Sequence, residues 1–566
     1  MYLLSYEINE VIANHLFTTY LQNEIYIPKE LKNKKNKKLL ISLLSSVALL
    51  SSLVIALYLS NFQNILLTER IRMRKGFPFY NLWKNPPLPM YTKTYAFNVT
   101  NSERFLSGLD THLKLEEVGP FFYYKYPRQH DVVFNDENST LSYTTTYDVE
   151  YPEELNTPGL LNQTIIVPNM ILLTLASMVH EHVNLFFART AINMMLVNEP
   201  LFVNKTIHQF LWDNTSPLVE MVKPFIPNSL FPRTNVGMLY NYFYPEKMRF
   251  NVNIGTKHGF KEFFKINSLN SKPYIVGFKD QDYEDCKIYS IQEGRDGTGL
   301  PPYFNKDEDV IKAYTFMIPR TYPTIYAKDK QVGLLNIYDC RFQEGIYKRF
   351  NDSEMNECLG KTGSSPLPEG LIDTSKIVFG VPFALSPPHF FGFRGVWENY
   401  ITGLSGNEKD HGSFMHYEPV SGVPLILSAS LQVNMVLPKF KFGSKLNLFS
   451  GKIIPIAWLN YKYELHKSTK VMAFVYITVY LPTFQAILTS LVGAYLLYKL
   501  YLLVKLVKLI VVNKLENEGM EFITSSQCID LMDGGESVFT KDYDAHENIE
   551  LDISTELLEG REHLHD

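Results

Sequence analysis

The stretch LLISLLSSVALLSSLVIALYLS, from Leu39 to Ser60, carries no charged side chain and decides where the rest of the chain resides. About 20 apolar residues suffice for one helix to cross a bilayer. The bilayer core contains no water, so the backbone N–H and C=O groups of the segment must form hydrogen bonds with one another, as they do in a helix. A buried core helix normally keeps a polar face, and a signal peptide has a shorter apolar run without a long polar leader. The stretch therefore predicts a transmembrane helix and a membrane protein.

A second uncharged run, VMAFVYITVYLPTFQAILTSLVGAYLLY, extends from Val471 to Tyr498 and is interrupted by Pro482. Its length predicts a second transmembrane helix, and the proline favours a kink in it. The predicted order is an N-terminal tail (1–38), a first span (39–60), an ectodomain (61–470), a second span (471–498), and a basic juxtamembrane segment with an acidic tail (499–566). Two crossings place both chain ends on one side of the membrane.

Sequons and lysines together predict the orientation. Six N-x-S/T sequons all lie between the two predicted spans. Lysines cluster before the first span, between Lys29 and Lys38, as expected for a cytosolic flank. Both signals predict cytosolic termini and a glycosylated extracellular or lumenal domain. The predicted glycosylation sites are Asn98, Asn138, Asn162, Asn204, Asn214 and Asn351.

The charge distribution argues against a nucleic-acid partner. The chain has a net charge of -5, and residues 513–566 alone contain 15 acidic and 3 basic residues. No basic patch with interleaved aromatic residues is present, so no nucleic-acid partner is predicted. The aromatic content of 14% favours strands and apolar cavities.

Residue patterns in the centre predict an α+β ectodomain. Alternation predicts strands over 91–99, 115–126, 141–151, 431–437 and 453–459. Apolar residues at helical spacing predict a helix from Asn169 to Leu196, and a short helix should begin near Thr206. These helices, within about 169–226, are predicted to form a helical cap.

No catalytic motif is complete. His180 and His182 are two residues apart, whereas zinc-protease histidines need three residues between them. The Gly360-Lys361-Thr362 triplet lacks the earlier glycine of a phosphate loop, and no G-x-S-x-G elbow is present. The acidic run from Asp307 to Asp309 lacks calcium-loop spacing. The sequence therefore predicts neither an enzyme nor a cofactor or metal site.

Several blocks resemble the CD36 family, the class B scavenger receptors with their lysosomal integral membrane protein 2-like branch. These blocks are NPPLPMYTKTYAFNVT (85–100), LEEVGP (115–120), FLW (210–212), GTGLPPYF (297–304), PHF (388–390), DHGSFMHYEPVSG (410–422) and PIAWLN (455–460). The resemblance implies an antiparallel β-barrel-like core with an apical helical bundle that receives ligand. It also implies a tunnel that passes lipid to the membrane.

The resemblance also implies a disulfide. Cys340 and Cys358 match the closely spaced cysteine pair of the family and are expected to bond, as in an oxidising compartment. Ile318 and Ile377 stand where many members carry a second bridge. On this expectation Cys286 is an unpaired thiol.

Candidate ligand-binding residues lie on the predicted apical helices: His180, Phe186, Phe187 and Lys205. His180 matches a histidine of the lysosomal branch whose protonation is thought to release a bound enzyme, although a solvated histidine without such a role fits as well. Lys205 stands where that branch has another histidine, and it would attract anionic ligands or be simply solvated. In the acidic tail, Leu557 and Leu558 resemble a dileucine sorting signal.

Three functions are consistent with these features. The first is a receptor that binds lipids, sterols or lipoproteins at the apex and passes lipid to the bilayer. The second is a sorting receptor that escorts a protein cargo, such as a hydrolase, to lysosomes. The third is an adhesive or structural membrane protein. Each would reside in the plasma membrane, the endosome–lysosome membrane or both, and the oligomeric state is not predicted.

Overall fold

A computed structural model describes residues 34–59, 62–181, 186–222, 237–243, 247–257, 259–275, 277–295, 297–298, 300–307, 309–342, 346–347, 367–378 and 380–517. These residues fall into two compact units, one within residues 1–60 and 487–566 and the other within residues 61–486.

Helices occur at both ends of the described part of the chain and within the larger unit. They are α1 Lys34–Leu59, α2 Phe62–Ile71, α3 Pro78–Lys84, α4 Ser102–Leu106, α5 Met170–Glu181, α6 Phe186–Asn198, α7 Ile207–Leu211, α8 Pro217–Val222, α9 Tyr240–Phe243, α10 Asp280–Asp285, α11 Glu408–His411, α12 Lys467–Phe474 and α13 Leu481–Asn517. A π-helical segment, Val475–Tyr480, joins α12 to α13.

Within α1, Lys37–Leu59 is the one helix in the described ranges that is long and apolar enough to cross a membrane. The first predicted span is thus an apolar helix. The second predicted span, residues 471–498, lies on α12, the π-helical segment and α13, and its crossing of the membrane stays a prediction.

The described part of the larger unit contains seventeen strands. They are β1 Met90–Val99, β2 Leu113–Asn135, β3 Thr140–Glu150, β4 Thr164–Pro168, β5 Phe202–Thr206, β6 Arg249–Asn253, β7 Ile266–Leu269, β8 Lys312–Ala313, β9 Tyr322–Pro323, β10 Ile325–Val332, β11 Leu335–Arg341, β12 Ile372–Asp373, β13 Phe383–Ser386, β14 Ile401–Thr402, β15 Phe414–Glu418, β16 Val423–Val436 and β17 Ile453–Glu464.

Thirteen of these strands form one sheet, in which neighbours pair antiparallel along the order β10-β11-β15-β16-β17-β1-β2-β3-β6-β7. Of the remaining three, β13 pairs with both β12 and β16, and β14 pairs parallel with β2. Among the described residues the sheet runs from one edge to the other without closing on itself. The expected β-barrel-like core is therefore seen only as a large, open, mainly antiparallel sheet.

The largest core cluster joins the middle of this sheet to the central helices. Phe97 and Phe121 from neighbouring strands are fully buried there, as are Leu172 of α5 and Phe210 of α7. Burying one such side chain contributes about 1.5–3 kcal/mol. The predicted short helix near Thr206 is confirmed, because Thr206 and Gln209 form a capping box at the start of α7. The predicted helix over 169–196 corresponds to α5 and α6, and residues 182–185 between them lie outside the described ranges.

One face of β16 is polar although it is buried. Ser428, Ser430, Gln432 and Asn434 alternate along this face with at most 6% exposure. Neighbouring strands supply the partners: Asn460 of β17 donates to the Ser428 and Ser430 hydroxyls at 2.9 and 2.8 Å. This polar ladder satisfies groups that would otherwise be costly to bury.

Candidate functional site

A cavity of about 620 Å³ lies within the larger unit. That volume falls in the range of about 300–1,000 Å³ that is usual for small-molecule sites. Its wall is mainly apolar and comes from the sheet, from α2, and from α12 with the π-helical segment. Lining residues from these elements include Tyr147, Phe250, Leu427, Ala429, Leu431, Leu459, Leu67, Ile71, Met472 and Tyr476.

The strand β2 places a lysine in this apolar wall. Phe121, Tyr123 and Lys125 alternate on one face of β2, and all three are buried, Lys125 to 3% exposure. The Lys125 ammonium donates to the Tyr242 carbonyl oxygen at 3.2 Å. Because burial disfavours the charged form, the pKa of Lys125 falls to about 7.

Aromatic rings surround the Lys125 ammonium. It lies 3.8 Å from the centroid of the Tyr147 ring, 4.3 Å from that of Tyr242 and 5.8 Å from that of Phe316. Ring faces attract a cation by about 0.5–2 kcal/mol each, so they partly offset the cost of burial.

The charged residues that line the cavity are cationic. Arg295 is buried and donates to the Phe263 carbonyl oxygen at 2.9 Å, while Arg70 of α2 is exposed. No aspartate or glutamate occurs among the described residues that line the cavity. The wall therefore favours a ligand that is apolar over most of its length and carries no positive charge.

His180, predicted as a ligand-binding residue, lies at the C-terminal end of α5 and does not line this cavity. Its ring is 5.9 Å from the Phe440 ring and 6.4 Å from the Phe442 ring. Burial, and then the charges of Lys441 and Arg189, lower the pKa of His180. This environment opposes protonation in the endosomal pH range.

The other predicted binding residues are not gathered into a common site by any described contact. Lys205, on β5, is half-buried and donates to the Thr215 carbonyl oxygen at 3.3 Å. Phe186 and Phe187 begin α6, and their side chains lie outside the described part, as do Leu557 and Leu558.

The predicted cysteine pairing is wrong. Cys340 is a free thiol buried on β11, and Cys286, expected to be unpaired, is disulfide-bonded. Cys358 lies outside the described residues. The match to the family's cysteine pair misled, because two cysteines that are close in the chain need not face each other.

The predicted glycosylation sites differ in exposure. Asn138, Asn162 and Asn204 are exposed and Asn98 is half-buried, whereas Asn214 is only 4% exposed. Asn351 lies outside the described residues. A glycan at Asn214 would therefore require local rearrangement.

A second cluster, Glu117 with His389 and His411, has the residue types of a metal site. However, the Nδ1 atoms of His389 and His411 accept backbone N–H bonds from Ser405 and Asn407, both at 2.9 Å. In a neutral histidine the proton then resides on Nε2, the atom that would have to ligate a metal. The arrangement instead suits a hydrogen-bond network.

Glu117 is the acceptor at the centre of this network. The Nε2 group of His389 donates to Glu117 at 2.7 Å and the indole N–H of Trp458 donates at 2.6 Å. Burial would raise the pKa of Glu117, but these two hydrogen bonds together with the charges of His389 and His411 lower the pKa. The network joins β2 to β17 and to the short 3-10 helix Pro388–Phe390, which carries His389.

Sequence reasoning missed Lys125 and the cavity wall. One signal was available, since the two-residue period from Phe121 through Tyr123 places Lys125 on the same buried face. The cavity itself depends on contacts between strands far apart in sequence, which no local pattern reports.

Comparison with known proteins agrees with the motifs. The sequence profile of the CD36 family matches residues 40–506. Scavenger receptor class B member 1 of Bos taurus is 22% identical over 391 residues, which cover 69% of this chain and 74% of that protein. Lysosome membrane protein 2 of Homo sapiens is 25% identical over 415 residues, 71% of this chain and 80% of that protein. Sensory neuron membrane protein 1 of Apis mellifera is 25% identical over 432 residues, 72% of this chain and 79% of that protein. With the profile covering most of its length, the chain belongs to the CD36 family.

Proposed function

We propose that this membrane protein is a receptor that binds lipid or lipoprotein ligands and passes lipid through the cavity toward the bilayer. The observation that carries the proposal is the composition of the cavity wall. Apolar side chains from the sheet continue into Leu67 and Ile71 of α2 and into Met472 and Tyr476. In the sequence, these residues lie next to or within the two predicted spans.

Transfer energies support an apolar cargo. Each methylene group removed from water contributes about 0.8 kcal/mol, so twelve of them contribute about 10 kcal/mol. A wall built mainly from leucine, methionine and aromatic side chains supplies that environment. The cavity suits an acyl chain or a sterol better than a polar metabolite.

The proposal includes the predicted topology. Residues 39–60 and 471–498 would cross the membrane, residues 61–470 would form the glycosylated ectodomain, and both tails would be cytosolic. Ligand capture would occur at the central helices within about 169–226. The protein would act in the plasma membrane, the endosome–lysosome membrane or both, as a receptor without enzymatic activity.

A sorting receptor for a hydrolase is not favoured by any described contact. Its pH switch would depend on His180, whose surroundings lower its pKa. Adhesion would not require an apolar cavity. We therefore advance the lipid receptor alone.

The test is to purify the full chain in a neutral detergent and to identify co-purifying lipids by mass spectrometry. A second sample carries Ala429→Trp, because Ala429 lines the cavity and an indole there would fill part of it. We expect stoichiometric lipid in the wild-type protein and at least a fivefold loss in the variant.

Val133→Trp is the matched control, because Val133 of β2 is 53% exposed and does not line the cavity. It should retain wild-type lipid, and both variants should melt cooperatively. A wild-type protein without lipid, which also takes up none when lipid is added, would refute the lipid-receptor proposal.

A further inference from the structure

Two stacked histidine rings hold a surface segment of the larger unit in place. The rings of His389 and His411 lie 4.5 Å apart between centroids, and both side chains are largely buried. The Nδ1 atom of His389 accepts the Ser405 N–H bond, and that of His411 accepts the Asn407 N–H bond, both at 2.9 Å. The first bond ties Ser405–His411, the clasp segment, to the 3-10 helix, and the second closes the turn within it.

Both bonds depend on the protonation state of the rings. An imidazole nitrogen accepts an N–H bond only while it carries no proton. Protonation at Nδ1 places one N–H group opposite another, so that an attraction becomes a repulsion. Uptake of a proton by either ring therefore removes one of the two bonds of the clasp segment.

The charged groups around the rings set the direction of the pH effect. Glu117 accepts a hydrogen bond from His389 at 2.7 Å, and the charges of Glu117 and Asp410 favour protonation of His411. Burial, and then the charge of His389, nevertheless lower the pKa of His411. Tyr95 stays neutral, because burial raises its pKa. The released segment therefore binds a proton more readily than the closed segment, and falling pH favours release.

Other contacts confine the release to the clasp segment. On its N-terminal side Leu404 packs against the main core, and β14 pairs with β2. On its C-terminal side the Ser413 hydroxyl accepts the Ser430 N–H bond at 3.0 Å. In the described part of the chain, the one ion pair from the segment to its surroundings joins the exposed Glu408 to Arg341. Exposed ion pairs contribute little, so the histidine contacts dominate.

We propose that His389 and His411 form a pH-sensitive clasp that holds Ser405–His411 closed at neutral pH and releases it in an acidic compartment such as the endosome. Release would uncover the residues beneath Gly406, which packs so closely that a Cβ atom there would lie 2.9 Å from the Phe391 Cα atom. The clasp goes beyond the lipid-receptor proposal and does not depend on the cargo. Its failure would leave that proposal standing.

The experiment is hydrogen–deuterium exchange, read by mass spectrometry, on the full chain in neutral detergent at pH 7.4 and pH 5.5. Rates are corrected for the intrinsic pH dependence of exchange. In wild type we expect peptides that cover the clasp segment to lose protection at least tenfold at pH 5.5. The turn from Leu269 to Lys272 is the internal reference, because its N–H bond ends on a backbone carbonyl oxygen. Its protection should change less than twofold.

Asparagine variants keep an acceptor and remove the titration. The side-chain oxygen of asparagine lies near the position of the histidine Nδ1 atom, and asparagine tolerates the φ of 53° at His389. His389→Asn and His411→Asn should each lose less protection at pH 5.5 than wild type, and the double variant should lose less than threefold. His208→Asn is the matched control, because His208 is exposed on α7, and it should behave as wild type.

Three results would overturn the proposal. The first is unchanged protection of the wild-type clasp segment at pH 5.5. The second is an equal loss in wild type and in both single variants, because the histidines would then not cause it. The third is a parallel loss in the reference turn, which would identify global unfolding instead of local release. If the double variant does not fold, the two single variants decide the question.

Discussion

The ammonium of Lys125 lies 3.8 Å from the centre of the Tyr147 ring, on the wall of a cavity that is otherwise mainly apolar. Lys125 is on β2 and Tyr147 on β3, so the paired strands hold the contact rigidly. A charge in this position makes the free energy of unfolding depend on pH.

The pKa of Lys125 is lowered from about 10.5 to about 7 by burial. Between pH 7 and pH 10.5 the Lys125 side chain is protonated in the unfolded chain and mostly neutral in the folded protein. The free energy of unfolding is therefore lowest below pH 7 and rises as the pH increases through this interval. The facing Tyr242 has a raised pKa and stays neutral throughout. From pH 7 to pH 9 we expect wild type to gain about 2 kcal/mol relative to Lys125→Met.

Melting temperatures of wild type, Lys125→Met and Lys93→Met at pH 7 and pH 9 measure this effect. Lys125→Met should melt above wild type at pH 7, and the gap should narrow at pH 9. Lys93→Met should follow the wild-type pH dependence. A constant gap would show that Lys125 does not titrate in this interval.

The two described cysteines should differ in reactivity. Burial raises the pKa of the Cys340 thiol to about 11, which keeps it protonated and unreactive. In the folded protein, maleimide should leave Cys340 unmodified. After denaturation without reductant it should label Cys340 and not Cys286, as peptide mass spectrometry will show. A disulfide-linked peptide containing Cys340 is the contrary result.

Acidification should destabilise the protein at His180. Because its pKa is lowered in the folded state, the unfolded chain takes up the proton first, and stability falls as pH drops below the usual histidine range. His180→Phe should reduce the loss of melting temperature between pH 7.4 and pH 5. His208, exposed on α7, supplies the control His208→Phe, which should change nothing. Equal acid sensitivity in all three proteins would contradict this assignment.

The Glu117 network should be structural and independent of metal. Glu117→Ala leaves the donors of His389 and Trp458 without their acceptor and should cost about 1–3 kcal/mol. Zinc or a chelator should leave the melting temperature of wild type unchanged. A rise with zinc that disappears in His389→Ala would instead identify a metal site.

Sequon occupancy should follow exposure. Asn138→Gln should increase gel mobility by one glycan, and Asn214→Gln should leave it unchanged, because Asn214 is buried. A mobility shift in Asn214→Gln would show that the segment is exposed when the glycan is added.

Local sequence signals predicted single elements well and their assembly poorly. The alternation over 91–99 corresponds to β1, and Thr206 begins a helix by a capping box, since both signals act within a few residues. The cysteine pairing and the cavity wall depend on non-local packing, as does the buried position of Asn214. Family blocks indicated the family but did not indicate Lys125.

The polar ladder on β16 has a consequence for folding. Leu427, Ala429 and Leu431 face the cavity, while Ser428, Ser430 and Gln432 face the opposite side. A slip of one residue in strand pairing would exchange these two faces. The cavity would then be lined with hydroxyl and amide groups, and their partners at Asn460 and Ser386 would lose their bonds. Only the correctly aligned sheet therefore gives the cavity an apolar wall along β16.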